Sequence, residues 1–138
     1  LIVTDNQEAL AAWAAEKMDT TFVPPYSAIG AIDQSGNIIA VFVFNNFTRN
    51  DIEISVAADR IPRELLKATY SYVVDQLGCQ RASYRTRADN LPAQRCLERL
   101  GAQKEGVQRR YFGDCDSFMY GILREDFPFA HAISSNAS

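Results

Sequence analysis

The chain has 138 residues, 47% hydrophobic and 22% charged, with a formal net charge of −3; that is the size and balance of one globular domain, too short for two. An acidic balance argues against a general nucleic-acid binder, which needs a basic surface to neutralise phosphates, and no apolar run is long enough to cross a bilayer. Three cysteines without Cys-x-x-Cys spacing and a single histidine, His131, argue against a zinc site, a disulfide framework or a Cys-His nucleophile. No metal, nucleic-acid or membrane partner is therefore expected. The opening Leu-Ile-Val-Thr-Asp has neither a basic segment nor an apolar signal core, and free thiols suit a reducing compartment, so the expected location is cytoplasmic.

In chain order, a short strand precedes Asp5–Glu8, which reads as an acidic helix start, with Leu10, Trp13, Ala14 and Lys17/Met18 at helical spacing. Trp13 is expected to anchor in the core. Pro24-Pro25 makes Thr20–Tyr26 a loop. Ser27–Asp33 and Ile38–Asn45 are β-rich runs joined by a turn composition, a hairpin. Asp51–Ala57 alternates, with Ile52, Ile54 and Val56 on one face and Asp51, Glu53 and Ser55 on the other.

Pro62 opens a helix in which Leu65, Thr69, Tyr72/Val73 and Gln76/Leu77 follow the 3.6 period until Gly78 ends it. It reads as the crossover to a parallel strand at Gln80–Thr86. Asn90 caps a short helix, Leu97 and Leu100 share its inner face, and Gly101 supplies a left-handed stop. Gln103–Phe112 reads as the following strand, and a last strand closes the domain at 1–129. Residues 130–138 read as a flexible tail. Composition alone supports an α+β domain.

Asn90, Ala93, Glu98, Leu100, Gly101, Glu105, Gly106 and Arg109 match the late helix and strand of the GNAT superfamily of N-acetyltransferases, which the chain resembles. The ending Gly113–Arg124 is similar to that of the branch acetylating ribosomal-protein N-termini and to small phage-encoded members. The family's tyrosine position here holds Leu97, and its phenylalanine after the glycine is Ala102. The resemblance implies a three-layer fold: a mixed, mostly antiparallel central sheet with a splayed parallel strand pair and flanking helices. It also implies acetyl-CoA as cosubstrate and an amine acceptor, whether a small amine, an amino acid or a protein N-terminus, and homodimers are a family habit.

Carried over residue by residue, the resemblance makes Glu53 the candidate general base, against an ordinary strand carboxylate paired with an arginine. Asp51 is the weaker alternative. Proton donation to the leaving thiolate falls to Tyr111, with Tyr84, Cys96 or water as substitutes for the tyrosine that Leu97 replaces. A backbone N–H near Val56 would polarise the thioester. The cofactor's phosphates would meet the start of the central helix at Arg60, Arg63, Glu64 and Leu65. Asn90, Ala93, Cys96 and Arg99 would flank its pantetheine and adenosine ends, with Arg95, Arg85 and Arg87 as further cations and Asn90 first of all a helix cap. The family's glycine-rich loop is missing from Ala58–Leu65, and Pro62 has no N–H to give. A catalytically silent GNAT-fold protein, binding a ligand or a partner protein, is the alternative.

Overall fold

The computed structural model describes residues 1–128; the expected tail at 130–138, His131 included, lies outside the described residues. The elements are β1 (Ile2–Val3), α1 (Gln7–Met18), β2 (Ser27–Ile32), β3 (Ile38–Asn45), β4 (Asp51–Ala58), α2 (Arg63–Ser71), β5 (Arg81–Arg87), α3 (Leu91–Arg99), β6 (Gln103–Gln108) and β7 (Ser117–Leu123). They form one seven-stranded sheet in the order β1-β2-β3-β4-β5-β7-β6. Only β4 and β5 pair in parallel, as the long crossover through α2 requires. Among the described residues no helix is long and apolar enough to cross a membrane.

Period-2 alternation distributes the sheet between two cores. On one face Phe42, Phe44, Ile52, Ile54, Tyr84, Tyr120 and Ile122 pack against Leu65 and Tyr70 of α2, Val73 just beyond it and Leu97 of α3. On the other, Ala28, Val41, Val43 and Ala57 meet Leu10 and Ala14 of α1, with Trp13 at the margin. The sheet is thus sandwiched between helices, the three-layer arrangement expected. Leu97 is 6% exposed, so the residue in the family's tyrosine position is a core residue here.

Local chemistry fixes the element ends, and those of α1 and α2 differ from the sequence reading. Asp5 does not cap α1; the preceding residue is Asn6, in the left-handed conformation with no side-chain cap. Gln7 fastens the helix start instead: its Nε2 donates to the Ala28 carbonyl at 2.8 Å and its Oε1 accepts from the Ala28 amide at 2.6 Å. Pro62 sits one residue before the first turn of α2, with φ −65° and ψ 146°. Finally, α2 does not run α-helical to Leu77 but relaxes into a π turn over Tyr72–Gln76.

The cap on α3 is as expected: the Asn90 Oδ1 accepts from the Ala93 amide at 3.2 Å. Gly101, at φ 99°, takes the left-handed stop that a side chain would strain. Replacing Asn90 with alanine should lower stability by about 1 kcal/mol, a few degrees of melting temperature in a thermal denaturation. An unchanged melting curve would show that α3 is held by Leu97 alone.

Candidate active site

Parallel strands put the loops that follow them at the same end of the sheet. The first turns of α2, after β4, and of α3, after β5, therefore both lie at the carboxyl ends of the two central strands. There the strands part. Pairing runs from Asp51 opposite Arg81 to Ile54 opposite Tyr84 and stops, although β4 stays paired with β3 to Ala58 and β5 with β7 to Arg87. Ser55–Ala58 and Arg85–Arg87 thus line a crevice with main-chain groups released from the ladder. Val56 lies on its β4 wall.

At the mouth, the amides of Leu65 and Leu66 both donate to the Pro62 carbonyl, at 3.1 and 3.4 Å. Leu65 is fully buried, so neither its amide nor its side chain faces outward to an anion, contrary to the role expected for it. Glu64 keeps a first-turn amide with no carbonyl inside the helix to accept it, and the exposed Arg60 and Arg63 add cationic side chains. On the far side, Asn90 spends its side-chain oxygen on the cap. Ala93 and Cys96 are half-buried along α3, and Arg99 is exposed at its end.

Glu53 lies one rung below the point where the strands part, on the face that α1 covers further along the sheet. It is buried, with Arg85 Nη1 donating to its Oε2 at 2.8 Å. The pairing uses Oε2 alone. Arg85 Nε also donates to Gln108 Oε1 at 3.1 Å, and the Tyr111 ring lies 4.2 Å from the guanidinium carbon. Glu53, Arg85 and Tyr111, which the sequence treats separately, are one stack.

That stack belongs to a row on one face of β5, Arg81, Ser83, Arg85 and Arg87. Arg81 Nε donates to Asp51 Oδ1 at 3.2 Å and its Nη2 to Glu105 Oε1 at 2.5 Å. Gly121, between them on β7, leaves room for this pair: a Cβ there would displace the ends of the Arg81 and Glu105 side chains. Arg87 holds Asp89 and Asp114, with Phe112 stacked on it. These partners raise the pKa of Arg81 and Arg87, and Arg87 in turn lowers that of Asp89. Of the eight cations between 81 and 110, the three on β5, Arg81, Arg85 and Arg87, are thus occupied by carboxylates.

Tyr111 does not extend a strand, because β6 ends at Gln108. Arg110 adopts φ 56° and its amide donates to Asp116 Oδ1 at 2.8 Å, so Tyr111 and Phe112 turn out of the ladder onto Arg85 and Arg87. On the opposite face, Tyr84 and Tyr70 share a hydrogen bond between their hydroxyls. Burial pushes the Tyr70 pKa up to about 12 and that of Tyr84 well above its ordinary value.

No family model matches the chain, and no curated protein sequence matches it. Solved structures do. The spermidine/spermine N-acetyltransferase SpeG from Vibrio cholerae superposes with a TM-score of 0.74 over 91% of this chain and 92% of its own, at 12% identity. A dodecameric structure of spermidine N-acetyltransferase from the same organism gives 0.73 over 91% and 94%, also at 12%. A nourseothricin acetyltransferase gives 0.62 over 72% and 66%, again at 12%. At these identities the likeness is one of architecture, and by its parted central strands, mixed sheet and flanking helices this chain has the GNAT acetyltransferase fold.

Proposed function

We propose that the protein transfers acetyl from acetyl-CoA directly to an amine. The observation that carries this reading is the parting of β4 from β5 just beyond Ile54 and Tyr84, with two helix N-termini at its open end. Released main-chain groups on both walls suit the amide-rich pantetheine arm, and N-terminal helix amides favour phosphate. Acetyl transfer is also the activity by which the similar structures are named. The bound cosubstrate supplies an activated acetyl thioester.

The chain's own residues supply the rest. Arg60 and Arg63, with the Glu64 amide, hold the phosphates by charge-assisted contacts in place of a glycine loop; Ala93, Cys96 and Arg99 border the same crevice along α3. A backbone N–H at Val56 orients the acyl oxygen. Glu53, through the Oε1 that its ion pair leaves over, takes a proton from the amine by way of water. Tyr111 gives a proton from its hydroxyl to the departing sulfur. Tyr84 is the poorer donor, since burial holds its proton and Tyr70 occupies its hydroxyl.

Calorimetric titration tests the reading. Acetyl-CoA should bind at micromolar concentration, and Arg60→Ala with Arg63→Ala should weaken it at least tenfold, about 1.4 kcal/mol. Absence of binding to the folded protein would overturn it. A second reading, a catalytically silent binding protein on the same fold, is favoured by the glycine-free loop and by Leu97 in the core. Binding with no turnover over a broad amine panel, and no difference on Glu53→Gln, would select it.

A further inference from the structure

Arg85 is where the two groups assigned to move protons meet. Its Nη1 donates to Glu53 Oε2 on β4 at 2.8 Å, its Nε donates to Gln108 Oε1 at the end of β6 at 3.1 Å, and the Tyr111 ring lies over its face. Gln108 Oε1 accepts a second bond, from Ser117 Oγ at 3.2 Å, and Ser117 is fully buried on β7. One planar side chain therefore ties β4 to β6 and to the loop after it, and Gln108 anchors that side chain to the sheet.

The contacts remove different freedoms. The β4 backbone fixes where Glu53 starts but not how its carboxylate turns; the bond to Oε2 does that and leaves Oε1 as the oxygen on offer. Tyr111 has the opposite need. It is 49% exposed and lies beyond the last ladder pair of β6, Gln108 with Ser117, so no strand holds its ring. Phe112 stands on Arg87 in the same way, edge-on to Tyr111 with 5.0 Å between ring centres. A guanidinium meets both needs because it donates in its plane and stacks on its face, which an ammonium cannot do from one position.

We propose that Arg85 is a positioning residue for acetyl transfer: it holds Glu53 and Tyr111 in one fixed relation, so that a single side chain sets both proton movements. The inference rests on the acetyl-transfer reading. In that transfer the amine nitrogen bonds to the acetyl carbon and the carbon–sulfur bond breaks. One proton passes from nitrogen to Glu53 and one from Tyr111 to the thiolate, and solvent returns the first to Tyr111. Arg85 keeps its own charge throughout, so it acts through the two groups it holds. Displacing a group in such a site by an ångström costs on the order of a hundredfold in rate. Loss of Arg85 should therefore appear in kcat and not in the binding of either substrate.

The test measures acetyl-CoA turnover with the best acceptor among butylamine, spermidine, lysine and trialanine, at a temperature where near-ultraviolet circular dichroism shows every variant folded. Tyr111→Phe keeps the ring on Arg85 and removes the hydroxyl; Arg85→Lys keeps a cation for Glu53 and gives up the fork; Gln108→Leu, at an exposed position, removes only the anchor. Tyr111→Phe and Arg85→Lys should each lower kcat roughly tenfold or more, with both KM values within about twofold of the parent. Combined, they should lose no more than about threefold beyond Arg85→Lys alone, because a displaced hydroxyl has little left to lose, whereas independent losses multiply. Gln108→Leu should fall between the parent and Arg85→Lys. NMR spectra without substrate should show the Tyr111 ring signals moving toward those of a free tyrosine in Arg85→Lys. An unchanged kcat in folded Arg85→Lys, losses that multiply, or an effect confined to KM would overturn the proposal. If the parent binds no acetyl-CoA or acetylates no amine, the acetyl-transfer reading falls; Tyr111 signals that still move then leave Arg85 as the seat of the loop, and signals that stay put overturn that as well.

Discussion

Replacing Arg85 with methionine is expected to cost about 3 kcal/mol of stability, a drop in melting temperature of roughly 10 °C. The two side chains of the Arg85–Glu53 pair are only 17% and 10% exposed, so water replaces little of what the guanidinium gives. Methionine keeps part of the stem's contact with Tyr111 but leaves the Glu53 carboxylate with no cation. Removing one partner of such a pair leaves an uncompensated charge, which is what makes the loss large. Glu53→Gln in the same chain removes that charge, and the double variant should recover more than half of the lost stability. Arg85→Lys should fall between, because an ammonium cannot serve Glu53 and Gln108 from one planar fork while stacking on Tyr111. Urea unfolding of the four proteins in a double-mutant cycle measures the coupling. A coupling energy near zero would mean that the pair is solvated and that Glu53 is held by the strand alone.

Much of the architecture is readable from local pattern. Asn90, Leu97 and Gly101 mark a capped helix with a buried face and a stop, and alternation in Asp51–Ala57 separates the core-facing isoleucines from Asp51 and Glu53. Those signals are local because capping and amphipathicity are local. The arginine partners are not readable in the same way. Arg81 with Glu105 and Arg85 with Glu53 join residues 24 and 32 positions apart, and those pairs exist only because β7 inserts between β5 and β6 and β4 runs parallel to β5. Periodicity carries no information about strand order. It also offers no reason to end β6 at Gln108, since the Tyr111-Phe112 pair suits a strand until the stacking arginines are known to lie beneath it. The start of α1 escapes for a similar reason: Gln7 ties it to Ala28, 21 residues away.

The Tyr70–Tyr84 pair gives the second large expected effect, a loss of about 3 kcal/mol of stability between roughly pH 10 and pH 12. The sign follows from where the protons are held. Burial raises the Tyr70 pKa from 10.0 to about 12 in the folded chain and lifts Tyr84 well above 10, whereas both phenols ionise near 10 once unfolded. Below that value the two states carry the same phenolic protons and stability is flat. Above it the folded state binds more protons than the unfolded one, so stability falls as pH rises through the folded pKa. Urea midpoints at half-unit intervals from pH 8.5 upward should show this, with absorbance at 295 nm following phenolate formation. Tyr70, Tyr84 and, by its own desolvation, Tyr120 should ionise only as the chain opens. Tyr70→Phe alone should weaken the protein at neutral pH by about 1–2 kcal/mol, because it leaves the Tyr84 hydroxyl buried without its partner. Tyr70→Phe with Tyr84→Phe should regain most of that loss and remove most of the alkaline slope, since no phenol then remains between α2 and β5. Full ionisation of all six tyrosines below pH 11 with the fold intact would show that water reaches the hydroxyl pair, and Tyr84 would then rejoin Tyr111 as a candidate proton donor at the parting of the strands.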